Sequence, residues 1–204
     1  MVAWKPFSSG GLGDAEFLKS LMSHADGIAR DLSLEKINPF AFSAPITPLL
    51  AARLEHKSAN LPEVSSRLRG FDGLADVILV EGAGGLLSPL GEGFSALELI
   101  REWQCPVLVV APNRLGVINH LRLTMGALQS AGVRRMTTAL IEPMIPDDAT
   151  AGNADLLREL LPDVPLVRIP NLTNCLMSPE IIRESVPNLD IQLGQLLGAL
   201  LDPA

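Results

Sequence analysis

Short, unbroken aliphatic runs alternate along this chain with longer stretches in which apolar residues recur every three or four positions. The runs are Val77-Ile78-Leu79-Val80, Cys105 to Ala111, Met136 to Ile141 and Pro165 to Ile169. Aliphatic runs without polar alternation predict strands buried on both faces of a parallel sheet. The helical period is found after Asp14 (Ala15, Phe17, Leu18, Leu21, Met22), from Leu49, and over Pro62 to Gly70, where Val64 and Leu68 share a face. It returns over Ser95 to Glu102, through Leu121, Leu123 and Leu128 to a stop at Gly132, over Ala154 to Leu161, and over Leu189 to Leu201. Strands alternating with helices predict βαβ units and an α/β fold: a parallel sheet in a three-layer arrangement, flanked by helices, with right-handed crossovers. Between Ile37 and Glu55, the prolines at 39, 45 and 48 break any regular element before Leu49, which predicts a shaped loop ending in Thr47 as helix cap and Pro48 in the first turn. Val2-Ala3-Trp4 reads as the end of a strand already under way, an expectation that chain precedes it.

Composition narrows the class. The 204 residues suit one domain, 1–204, with one core and no internal repeat. A net charge of −7 without a basic run argues against nucleic acid and against an anionic membrane surface as partners. Cys105 and Cys175 lie far apart without metal-ligand spacing and read as reduced core thiols of a cytoplasmic protein. No signal-peptide h-region opens the chain, and no apolar run is long enough to cross a bilayer.

Candidate chemistry gathers at the predicted strand ends. Val80 leads into Glu81-Gly82-Ala83-Gly84-Gly85, an acid where a buried strand stops, followed by glycines whose backbone N–H groups allow close approach. Loops at the carboxyl ends of parallel strands form the ligand crevice of open α/β sheets; the same residues also fit a solvated turn. Lys5, with Ser8, Ser9, Gly10 and Gly11 after it, suits an anionic or carbonyl-bearing ligand, or equally a solvated Ser/Gly turn. Asp14 is a natural N-cap; beside a phosphate site it would also hold Mg²⁺. In Leu115-Gly116-Val117-Ile118-Asn119-His120, Asn119 falls in the first turns of a helix, where a carboxylate would dock. His120, without a second histidine at ligand spacing, reads as a packed or capping residue rather than a metal ligand.

Several of these segments together resemble dethiobiotin synthetase. They are Trp4-Lys5-Pro6 with Ser9-Gly10; Asn38-Pro39-Phe40 with Pro45, Thr47 and Pro48; Val80 to Gly85 with Pro89; Leu115 to His120; and Ile169-Pro170, in the family's order. The resemblance implies a P-loop NTPase-like fold, a homodimer, and formation of a cyclic urea from 7,8-diaminononanoate, CO2, ATP and Mg²⁺ in biotin biosynthesis. It also implies site roles. Lys5 would neutralise carbamate and transferring phosphate, and Ser9 would hydrogen-bond nearby as its catalytic partner. Asp14 and Glu81 would hold Mg²⁺. Thr47, Gly84, Gly85, Leu115 and Asn119 would bind substrate, with Asn119 at the fatty-acid carboxylate.

The chain also departs from that pattern. It contains no G-x-x-x-x-G-K-[ST] sequence, so the reading expects the first strand, the P-loop and the first helix of the family to be missing and the chain to be inactive alone. Without that strand, unpaired backbone and a gap in the core are expected. After the third strand, where the family tends to read adenine with an asparagine, this chain has Ala139-Leu140-Ile141-Glu142-Pro143, and Asn153 falls where some relatives carry a substrate-contacting tyrosine. Two alternatives follow: a non-catalytic binding or regulatory relative, or an amidoligase acting on another carboxylate or carbamate.

Overall fold

The computed structural model describes residues 1–25, 27–171 and 178–201. The chain divides into two compact units, Met1–Trp103 and Gln104–Ala204.

The first unit runs β1 (Val2–Trp4), β2 (Phe7–Ser9), α1 (Gly13–Met22), α2 (Ile28–Asp31), α3 (Leu34–Ile37), β3 (Phe40–Phe42), α4 (Pro48–Leu54), α5 (Leu61–Arg69), β4 (Ile78–Val80), β5 (Pro89–Gly91), β6 (Phe94–Ser95) and α6 (Ala96–Trp103). β1 lies parallel to β4, with Trp4 opposite Val80, and β2 lies parallel to β3, with Phe7 opposite Phe40. The chain passes from one pairing to the other at Lys5-Pro6, because Pro6 has no N–H to continue a ladder. The expected Ser/Gly turn after Lys5 therefore contains a strand, β2, and the proline-broken segment between Ile37 and Glu55 contains its partner β3. The segment up to Phe42 is regular because Pro39 stands just outside the strand and leaves its ladder donors intact.

Trp4 is fully buried and anchors this core. Its ring meets Phe71 edge-on at 6.0 Å and Trp103 at 6.1 Å, while Phe7 stacks on Phe40 at 4.9 Å. Both indoles have partners: Trp4 Nε1 donates to the Lys36 carbonyl at 3.0 Å and Trp103 Nε1 to Ser65 Oγ at 2.9 Å, as buried Trp N–H groups require. The β5–β6 hairpin, unforeseen from the sequence, turns at Gly93 (φ 76°), and a side chain at Gly91 would collide with Phe94 and the Ala59 carbonyl. β4 departs from the expected two-sided burial. Ile78 and Val80 pack against the core, but Leu79 points to the opposite face and is 52% exposed, since the two-stranded β1–β4 sheet buries one face within this unit.

The second unit runs β7 (Val107–Pro112), α7 (Val117–Ser130), β8 (Met136–Ile141), α8 (Asp148–Leu160), β9 (Leu166–Ile169), α9 (Pro179–Ser185), a 3₁₀ turn (Val186–Leu189) and α10 (Asp190–Leu201). Its strands are parallel in the order β7-β8-β9, joined by α7 and α8 as βαβ units. β8 is central and buried, with Leu140 fully enclosed. β7 is an edge strand of this sheet, and Val110 on it is 61% exposed; here too the predicted two-sided burial holds on one side only. Leu196 of α10 packs with Ala139, Val167 and Ile169. α8 starts six residues before the predicted Ala154, because Asp147 and Thr150 form a reciprocal capping box. Cys105 is a free, half-buried thiol whose burial pushes its pKa up; Cys175 lies outside the described residues.

Candidate active site

At Lys5 the chain leaves β1, and its side chain is only 5% exposed. A buried ammonium needs compensation, and two carboxylates provide it. Lys5 Nζ lies 2.7 Å from Glu81 Oε1 and 3.1 Å from Asp14 Oδ2. Burial pulls the Lys5 pKa down, but the hydrogen bonds and charges of Glu81 and Asp14 outweigh it and raise the ammonium above its ordinary value, so Lys5 is charged at neutral pH. The three residues come from distant sequence positions. Lys5 follows β1, Glu81 follows β4, and the two strand ends are level because Glu81 N–H donates to the Trp4 carbonyl at 2.8 Å. Asp14 comes from the first turn of α1. It is not the N-cap expected from sequence: Leu12 takes that position without a side-chain bond, and the Asp14 carboxylate reaches Lys5 instead.

The glycine loop follows Glu81. Gly84 adopts φ +74°, and a Cβ there would lie 2.7 Å from Ser88 Oγ, so the loop requires glycine at that point. Gly85 N–H donates to Ser88 Oγ at 2.9 Å. Thr47 precedes α4, with Pro48 in the first turn as predicted, but its side chain makes no cap hydrogen bond. Ser9, at the end of β2, is half-buried.

Leu115 and Asn119 belong to the second unit. Gly116 (φ 90°) opens α7 without a side-chain cap, leaving first-turn N–H groups without helical partners; Asn119 is exposed there and Leu115 is 82% exposed. The loop that carries them is held from behind by Asn113, which is 1% exposed. Asn113 Nδ2 donates to Glu142 Oε2 at 3.0 Å and to the Thr150 carbonyl at 3.1 Å, and Asn153 Nδ2 donates to Asn113 Oδ1 at 2.9 Å. Asn153 is thus turned inward, its amide engaged in fastening this loop. Glu142 also pairs with Arg168. His120 is exposed, and no group of three or more His, Cys, Asp or Glu among the described residues is placed to hold a metal.

Burial pushes the Glu142 carboxyl up, but the Arg168 and Asn113 hydrogen bonds outweigh it and hold it below its ordinary value of 4.5. A lowered folded pKa contributes stability above the unfolded value that is lost as pH falls through the folded one. Glu142→Gln is therefore expected to lower stability by about 0.5–1 kcal/mol at pH 7, the range of a partly exposed pair. That difference should shrink as pH falls below the ordinary carboxyl value of 4.5, as read from urea midpoints at pH 7 and on the acid side of that value.

Comparison with known proteins shows the family. A family model described as an AAA domain matches residues 1–176, a span that contains every candidate site residue from Lys5 to Asn119. An ATP-dependent dethiobiotin synthetase of Bacillus subtilis is 35% identical over 179 residues, covering 84% of this chain and 74% of the relative. The chain belongs to the dethiobiotin synthetase family. The dethiobiotin synthetase of Anaeromyxobacter dehalogenans is 34% identical over 203 residues, 97% of this chain and 83% of the relative. One from Escherichia coli O157:H7 is 37% identical over 134 residues, 64% of this chain and 59% of the relative. Dethiobiotin synthetase membership accords with parallel sheets flanked by helices, a P-loop NTPase-like α/β fold. Among the described residues no helix is long and apolar enough to cross a membrane.

One supporting residue escaped the sequence reading as part of the site. Asn38, 3% exposed, donates through Nδ2 to the Lys5 carbonyl at 2.6 Å and accepts from Ser8 Oγ at 2.6 Å. Its signal was present in Asn38-Pro39-Phe40, an amide before a proline in an otherwise apolar segment, but spacing alone does not say which backbone the amide serves.

Proposed function

We propose that this chain carries the substrate-side and magnesium-side elements of a dethiobiotin synthetase, the enzyme that carboxylates 7,8-diaminononanoate and closes its ureido ring with ATP. The observation that supports this most is the buried Lys5 ammonium between Glu81 and Asp14. A diamine that takes up CO2 becomes a carbamate anion, and its activation adds phosphate charge; a fixed cation beside backbone donors stabilises both without a covalent nucleophile. Lys5 meets that charge, Ser9 hydrogen-bonds beside it, and Thr47 with the Gly84 backbone orients the diamine; the donor role expected of Gly85 does not hold here, because its N–H and carbonyl are both paired with Ser88. For the second unit, taken by itself, Asn119 and Leu115 are proposed to bind a carboxylate and an alkyl chain.

Asp14 and Glu81 fit Mg²⁺ in donor chemistry. Two carboxylates converge on one cation, and Mg²⁺ takes one or two carboxylates with water completing its shell. Bound there, the metal would supply charge neutralisation for phosphate oxygens. The triphosphate fits less well. The 204 residues contain no phosphate-cradling Gly-Lys-Thr/Ser loop, so no step is assigned here to ATP, and the chain by itself is proposed not to turn over. A cytoplasmic homodimer is part of the same reading.

Isothermal calorimetry of the purified chain tests the proposal. 7,8-Diaminononanoate with bicarbonate is expected to bind, and Mg·ATP alone to bind weakly or not at all. No heat from the diamine, in a chain that is folded by circular dichroism, contradicts it.

A further inference from the structure

The Lys5 backbone is held by residues that make no hydrogen bond to its ammonium. The chain crosses at Lys5-Pro6 from the β1–β4 pairing to the β2–β3 pairing, so at this residue neither ladder supplies a strand partner for the Lys5 carbonyl. The Asn38 side chain takes that place. Its Nδ2 donates to the Lys5 carbonyl at 2.6 Å, and its Oδ1 accepts from Ser8 Oγ at 2.6 Å. The peptide on the other side of Lys5 is held too, since Lys5 N–H donates to the Ile37 carbonyl at 3.0 Å, and Asn38 N–H donates to the Leu34 carbonyl at 2.8 Å. Both polar ends of an amide that is 3% exposed are thus spent on residues 5 and 8, across the proline that interrupts the strand.

We infer that Asn38, assisted by Ser8, is the positioning residue of the Lys5 cation. With the backbone clamped on both sides of its Cα, Lys5 has only its side-chain torsions left to set, and Glu81 and Asp14 set them. Removing the Asn38 amide leaves the Lys5 carbonyl and the Ser8 hydroxyl buried without partners, and the segment relieves this by moving toward water and carrying the ammonium out of its carboxylate pair. Asn38 and Ser8 act through Lys5 and make no contact with the reacting groups. The consequence for catalysis rests on the reading of Lys5 given above; the positioning itself does not.

Limited acetylation of the purified chain with acetic anhydride, quantified lysine by lysine by mass spectrometry, provides the test. In the wild type Lys5 should react far more slowly than the exposed Lys19, Lys36 and Lys57. Asn38→Ala is expected to raise Lys5 acetylation relative to those three lysines by about five- to tenfold, the population change that follows loss of a buried hydrogen bond. Ser8→Ala should give a smaller rise, and Ser8→Thr, which keeps the hydroxyl, should retain wild-type protection. If Asn38→Ala does not fold, the contrast between Ser8→Ala and Ser8→Thr decides. Wild-type Lys5 protection in folded Asn38→Ala, or equal protection in the two Ser8 variants where only they fold, overturns the inference. Diaminononanoate calorimetry on the same variants separates the two readings. Exposed Lys5 with undiminished diamine binding contradicts the role proposed for Lys5 and leaves the positioning by Asn38 intact.

Discussion

Lys5→Ala lowers turnover by about 10²–10³-fold, the cost of removing one preorganised charge-stabilising group from an active site. The measurement uses the chain joined to an N-terminal strand, P-loop of G-x-x-x-x-G-K-[ST] pattern and helix, and follows phosphate release with diaminononanoate, bicarbonate and Mg·ATP. The effect should fall on kcat more than on KM, because the charge that Lys5 meets grows as the carbamate is activated. Lys5→Arg should recover little. The Lys5 residue is 5% exposed and its ammonium lies between two carboxylates at 2.7 and 3.1 Å, an arrangement that suits a compact point charge and not a planar fork. Turnover of Lys5→Ala within tenfold of the parent would remove Lys5 from the chemistry.

Trp4→Ala destabilises the first unit by about 3–5 kcal/mol, the usual cost of deleting a large buried aromatic. Trp4 is fully enclosed and touches both Phe71 and Trp103, so the loss leaves a cavity at the centre of the cluster. Trp4→Phe should cost less, keeping the ring contacts while giving up the Nε1 bond to the Lys36 carbonyl, itself worth about 1 kcal/mol. Urea unfolding reads both variants through the fluorescence of the remaining indole, Trp103, which lies in the same cluster. An unchanged midpoint for Trp4→Ala would mean that the β1 end is not part of the cooperative core.

The fold class was legible because the aliphatic runs of β7, β8 and β9, and the helical period of α5, α6, α7 and α10, are local signals. What the runs did not reveal was which faces are covered. Leu79 and Val110 read as core by composition, yet they lie on faces that β4 and β7 leave exposed, and no local pattern separates a strand covered on both faces from one covered on a single face. Short elements were lost for a related reason: β2 and β3 exist through pairing with each other, across Lys5-Pro6 and Asn38-Pro39, where prolines argue for loop. Lys5, Asp14 and Glu81 could be singled out as residues, but their convergence on one ammonium depends on β1 and β4 ending level. Asp14 shows the limit well. Its position at the start of a helix is the same for a cap and for a Lys5 partner, and only the tertiary fold chooses. Asn113, Glu142 and Asn153 likewise became one fastening only when β7, β8 and α8 were brought together.

The central proposal is that this member of the dethiobiotin synthetase family acts on 7,8-diaminononanoate. Phosphate release by the P-loop-joined chain, measured with and without 7,8-diaminononanoate, tests it most directly. Release that requires both the diamine and bicarbonate, and that yields a cyclic urea product, is the predicted result. Release indifferent to the diamine, or none at all from a folded joined protein that binds Mg·ATP, would contradict the account.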